Sequence, residues 1–213
     1  MRIDFLLRRG LCVALLAVAP ALHAALLDDF LAAVANDRSD DVRAMLARGV
    51  DPNVVDANGD PALAIAARAG NVKVIDALLA GKAAPDTRNR FGDTPLMLAA
   101  LNGRLDAAKA LRAAGANLNP RGWTPLSYAA TGGHDEMVTW LLAEGAEIDA
   151  PSANGTTPLM MATREGRFAT AELLIGRGAN VNARNENNVS ALDFARRNND
   201  KRLAERLQRA GAR

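Results

Sequence analysis

The sequence predicts an all-α fold: a solenoid of about six stacked helix-turn-helix units, with short hairpin-like fingers between them. Three observations lead there. Gly59, Gly92, Gly122, Gly155 and Asn188 recur at spacings of 33, 30, 33 and 33 residues, and a fixed period of this length marks a stacked array. An apolar anchor follows each of them four places later, at Leu63, Leu96, Leu126, Leu159 and Leu192. Aromatic residues make up only 4% of the 213 residues while Ala and Leu abound, which favours closely packed helices over an aromatic-rich β core.

In chain order, residues 1–24 differ from the rest. Arg2, Arg8 and Arg9 give a basic start, and Gly10 to Ala19 is an uncharged, mostly apolar run of ten residues. Pro20 breaks that run, and Ala21-Leu22-His23-Ala24 ends in a small residue. This is the layout of a secretory signal peptide, with cleavage expected after Ala24. The run is shorter than the roughly 20 residues a membrane span needs; an uncleaved N-terminal anchor is the alternative. Arg8-Arg9 lacks the rest of a twin-arginine pattern, and Cys12 lacks a lipoprotein context. Removing residues 1–24 takes away Cys12, the single cysteine, and leaves 23 basic and 23 acidic residues. The working chain is then formally neutral and without disulfides.

Six units follow in residues 25–213. Residues 25–55 read as an N-terminal cap repeat: Ala33, the apolar positions Val42, Met45 and Leu46, and Gly49 are present, together with Asp28, Asp29 and Asp37. Repeat 2 (56–88) opens on Pro61-Ala62-Leu63 and has Lys82 where the others close on glycine. Repeat 3 (89–119), repeat 4 (120–151) and repeat 5 (152–184) carry Thr94-Pro95-Leu96, Thr124-Pro125-Leu126 and Thr157-Pro158-Leu159. Thr before Pro suits a helix start, the hydroxyl capping the first turn and Pro fitting its first position. Paired Ala residues such as Ala99-Ala100 and Ala129-Ala130 let neighbouring helices approach, and glycines at Gly70, Gly103, Gly133 and Gly166 suit a left-handed helix end. Repeat 4 lacks three residues before Arg121-Gly122-Trp123, so its finger should be short and tilt away from its neighbours. The C-terminal cap repeat (185–213) has Ser190-Ala191-Leu192 for the Thr-Pro-Leu start, and Asn199 where glycine is usual, a residue that tolerates the left-handed conformation. Leu203 and Leu207 form its single apolar stripe among Lys201, Arg202, Glu205, Arg206 and Arg209.

The 33-residue period and the T-P-L-x-x-A-A-x-x-G pattern resemble ankyrin repeats, over about residues 26–213. The resemblance implies a binding module without catalysis. It departs from the family where His often follows Thr-Pro-Leu; here that place holds Ala64, Met97, Ser127, Met160 or Asp193.

The residues offer little chemistry. After removal of residues 1–24 the one histidine is His134, in Gly133-His134-Asp135-Glu136. A His/Cys metal site cannot be assembled, and His134 reads as structural. There is no G-x-S-x-G turn and no glycine-rich phosphate loop. Asp51, Asp56, Asp86 and Asp149 fall in turns, where Asp is favoured. No cofactor and no metal are expected. Residues 25–163 hold 12 basic and 17 acidic residues, whereas 164–213 hold 11 and 6. That asymmetry reads as a solvated cap or as an orienting field for a charged partner. Basic residues do not interleave with aromatics, so nucleic acid is not an expected partner.

Arrays of this family bind through the fingers and the inner-helix face. Mapped by the repeat, that surface comprises Asn58, Asp60, Arg90, Phe91, Asp93, Arg121, Trp123, Asn154 and Thr156 in the fingers. On the inner helices it comprises Arg68, Leu101, Asn102, Thr131, Arg164 and Glu165. Trp and Arg are enriched among interface hot spots. Trp123 can serve binding or pack the short finger; Trp140, among Val138, Leu141 and Leu142, is expected to pack. The expected partner is another protein, the chain a monomer without membrane contact beyond export, and the location the bacterial periplasm, with secretion as the alternative. An immunity-type inhibitor, a host-directed secreted effector, and a small-molecule or enzymatic site remain as other readings.

Overall fold

The structure is a computed structural model that describes residues 25–213; the expected signal peptide lies outside the described residues. A first helix, α1, covers 25–35. It is followed by α2 (Ser39–Ala47), α3 (Ala62–Ala69), α4 (Val72–Ala80), α5 (Pro95–Leu101) and α6 (Leu105–Ala113). Then come α7 (Pro125–Gly132), α8 (Asp135–Ala143), α9 (Pro158–Arg164), α10 (Phe168–Gly176), α11 (Ala191–Arg197) and α12 (Lys201–Arg209). Among the described residues there is no named strand, only one isolated antiparallel bridge between Val55 and Pro61. No helix among them is long and apolar enough to cross a membrane.

Thr94, Thr124, Thr157 and Ser190 cap α5, α7, α9 and α11, each hydroxyl accepting the backbone N–H three residues on, at 3.2–3.4 Å. Pro61 starts α3 with no side-chain cap. The helices are too short to be stable alone, so packing must hold them. The odd-numbered helices from α3 to α11 stack as an inner row, and the even-numbered ones form an outer row. Between the rows runs one continuous core. Its first column is the anchor leucines, Leu63 to Leu192, all at most 2% exposed. Its second is Leu78, Leu111, Leu141, Leu174 and Leu207 on the outer helices, all fully buried. Burial of each such side chain contributes about 2 kcal/mol. The paired alanines are buried between the inner helices, where larger side chains would force the stack apart.

The junction between units 3 and 4, where the three residues are missing, differs from the others. Inner helices α5 and α7 pack closely: a Cβ at Gly132 would lie 2.7 Å from the Leu101 carbonyl. Outer helices α6 and α8, by contrast, approach less closely along their backbones than the other neighbouring outer pairs from α2 onward and are bridged by an Arg112–Glu144 ion pair at 3.5 Å. They part around a groove of about 440 Å³ lined by Lys109, Arg112, Ala113, Trp140 and Glu144. Trp140 is half-buried in this gap, packed on the edge of the core.

Candidate functional site

Each full-length finger is organised by one polar side chain at its base. Asp56 accepts the N–H groups of Asn58 and Asp60, both at 2.8 Å. Asn89 does the same for Phe91 and Asp93 at 3.0 and 2.9 Å, and Asn185 for Asn187 and Val189 at 3.1 and 3.0 Å. Ser152 accepts from Thr156 at 3.2 Å. These side chains satisfy backbone donors that a turn would otherwise leave to water. Two of them also reach back to the preceding finger: Asn89 donates to Asp60 at 3.0 Å and Asn185 to Thr156 at 3.4 Å.

The finger of unit 4 has no such residue, because its place falls within the deletion. Tyr128 of α7 substitutes, its hydroxyl donating to the Asp93 carboxylate of the preceding finger. Burial and then Asp93 push the Tyr128 hydroxyl well above the ordinary phenol range, so it remains a donor. Trp123 packs edge-on against Tyr128, with ring centroids 5.5 Å apart. Beyond the stub, a notch of about 330 Å³ opens, lined by Pro120, Arg121 and Gly122 on one side and Glu147, Ala150 and Pro151 on the other.

A hydrogen-bond ladder holds the frame that carries the fingers. Asn53, Asp86, Asn119, Asp149 and Asn182 each accept a backbone N–H from the next unit: those of Ala84, Asn117, Glu147, Asn180 and Arg213, at 2.9–3.1 Å. A second set ties the turns between helices to the inner helix of the unit before. Asn71 donates to the Val34 carbonyl at 3.2 Å, Arg167 to Thr131 at 3.0 Å, and Asn198 to Thr163 at 3.0 Å. His134 belongs to this set, with Nε2 at 2.8 Å from the Leu101 carbonyl. A carbonyl only accepts, so Nε2 bears the proton. His134 therefore does the work that Arg167 does one unit later.

The structure sorts the surface mapped from the repeat. Asn58, Arg68, Arg90, Phe91, Asn102, Arg121, Trp123, Asn154, Arg164 and Glu165 are exposed, and Asp93, Leu101 and Thr131 are half-buried. Two residues need correction: Asp60 and Thr156 are buried and cannot present themselves to a partner. The following finger covers both, and Asp60 is further used by Arg68 at 2.7 Å. Burial raises the Asp60 pKa, but the bonds from Arg68 and Asn89, with Arg90 nearby, outweigh it and hold the carboxyl below its usual range. The sequence mapping missed Tyr128 and the ladder residues. The ladder had a signal, since Asn53, Asp86, Asn119, Asp149 and Asn182 keep the same 33, 33, 30 and 33 spacing. Among the described residues the exposed large hydrophobics are Val55 at 54%, Phe91 at 72% and Trp123 at 38%. Phe91 and Trp123 sit in the fingers of units 3 and 4, and Val55, the last residue of the cap repeat, lies at the base of the unit 2 finger, where it bridges Pro61.

A family model for ankyrin repeats (3 copies) matches residues 30–121 and again residues 113–185. The chain is similar to the ankyrin repeat and KH domain-containing protein mask-1 of Caenorhabditis elegans, 43% identical over 75 residues, which is 34% of this chain and 3% of that protein. It is also similar over 56 residues, 26% of its length, to the putative E3 ubiquitin-protein ligase XBAT31 of Arabidopsis thaliana at 43% identity and to the E3 ubiquitin-protein ligase XB3 of Oryza sativa subsp. japonica at 45%. The chain spans only 3–12% of the length of these relatives.

Proposed function

The chain belongs to the ankyrin-repeat family, whose arrays are protein-interaction modules, and from that premise we propose that it is a non-enzymatic binder of a protein partner in the bacterial cell envelope. The partner docks on the fingers and the adjoining inner-helix face. The observation that carries this reading is the placement of Val55, Phe91 and Trp123. Phe91, 72% exposed, has no core to fill, and Val55 and the partly packed Trp123 lie in the fingers on either side of it. Exposed apolar groups grouped in this way mark an interaction surface. The envelope location rests on residues 1–24, whose basic, apolar and small-residue segments suit export and periplasmic residence.

The test compares cross-linked capture from envelope extract by the wild-type chain and by a Phe91→Ala, Trp123→Ala double variant. Circular-dichroism melts of both forms control for unfolding. A discrete protein captured by the wild type and lost by an equally stable variant is the expected result. Equal capture by both forms would overturn the finger assignment.

A further inference from the structure

Residues 25–163 carry an excess of acids, 17 against 12 basic residues, yet fingers 3 and 4 form a basic island within them. Arg88, Arg90 and Arg121 are all exposed. Arg88 donates to the Gly92 carbonyl at 2.6 Å, and Arg90 lies 4.8 Å over the Phe91 ring. Among the described residues none of the three has a carboxylate within ion-pair distance, whereas Arg68 is paired with Asp60, Arg164 with Glu165 and Arg184 with Asp193. The nearest finger acids are already engaged. Asp60 is held by Arg68 and Asn89, and Asp93 by Tyr128 and Asn89. Arg88 and Arg121 thus stand without a carboxylate partner, and Arg90, which acts on Asp60 only through space, has no ion pair of its own, in the two fingers that carry Phe91 and Trp123.

We propose that fingers 3 and 4 recognise an acidic segment of the partner protein that also bears a large apolar side chain. This deepens the binder reading and rests on it. Carboxylates of the segment pair with Arg90 and Arg121, whose planar forks suit bidentate contact. The apolar side chain lies against Phe91 and Trp123, and the stub leaves room for the chain that connects the two. Glu147 on the far lip of the notch repels an acidic segment running on towards unit 5, which confines the site to fingers 3 and 4. Opposite charge also steers the encounter, so association weakens as salt rises.

The full chain, immobilised, is panned against a displayed library of random dodecapeptides, and the recovered pool is sequenced. The expected pool is rich in Asp and Glu together with aromatic or large aliphatic residues. Its recovery should fall about tenfold or more on an Arg90→Glu, Arg121→Glu variant, and again at high salt. An Arg90→Gln, Arg121→Gln variant with a wild-type melting curve gives the same comparison without added repulsion near Asp60. A pool without acidic bias, a pool of basic peptides, or no enrichment at all would overturn the proposal. An unbiased pool lost on Phe91→Ala, Trp123→Ala would leave the finger site standing and remove only the acidic partner. A pool retained on both kinds of variant would remove both.

Discussion

Lys82 sits at φ +69°, where Gly49, Gly115, Gly145 and Gly178 occupy the same place in other units at +89° to +94°. A side chain in this left-handed region crowds its own carbonyl at a cost of about 1–2 kcal/mol, part of which glycine returns as extra freedom when unfolded. Lys82→Gly should therefore stabilise the chain by about 1 kcal/mol, seen as a higher urea midpoint with an unchanged slope. Such positions are legible one residue at a time: Lys82 stands out in sequence as a missing glycine, and Asn199 does adopt φ +56°. Burial in the fingers is not legible in this way. Asp60 and Thr156 look like tip residues until Asn89 and Asn185 are laid across them, and those contacts join residues 29 apart in sequence.

The helix starts repeat one solution, and α11 adds charge to it. Ser190 and Asp193 cap reciprocally: the Ser190 hydroxyl accepts from the Asp193 N–H, and the Asp193 carboxylate accepts from the Ser190 N–H at 2.9 Å. That backbone bond is the main reason the Asp193 carboxyl sits below its ordinary range; the Ser190 hydroxyl and nearby Arg184 add to it, against a smaller opposing effect of burial. A depressed carboxyl contributes stability that is complete above the unfolded value, about 4, and fades as pH falls through the folded one. Asp193→Ala should cost about 1 kcal/mol at neutral pH and lessen the loss of stability on acidification, as read from melts between neutrality and acid. The Thr-Pro-Leu and Ser-Ala-Leu starts announced these elements in the sequence, because capping is local. The ladder that joins one unit to the next was written with the same period, but its polar residues also make sense as ordinary turn formers, so only the contacts reveal it.

At the scale of the whole molecule, stability is a sum of units and of the interfaces between them. The junction of units 3 and 4 keeps its inner contact and its ladder bond from Glu147 to Asn119 but lacks most of its outer contact. Hydrogen exchange should therefore resolve two cooperative blocks, units 1–3 and units 4–6, with the outer-helix amides of α6 and α8 protected less than those of α4. Uniform protection along the array would refute this. The shortened finger could be counted from sequence. The parting of the outer helices beside it could not, because it shows only in how closely α7 meets α5 at Gly132 while the outer row opens beside Trp140.

The ladder spans 31 residues per rung everywhere except from Asn119 to Glu147, where it spans 28, and its geometry there is unchanged at 3.0 Å. The interval has shrunk because the deletion lies in the loop and the stretch between these two residues begins after Asn119. Loss of loop residues at this junction thus leaves the ladder rung intact, although the outer helices beside it stand apart. For such a chain, the length of a fingertip is a heritable variable in its own right: one small deletion can recast what the surface recognises in a single step while the rung that joins one unit to the next is kept.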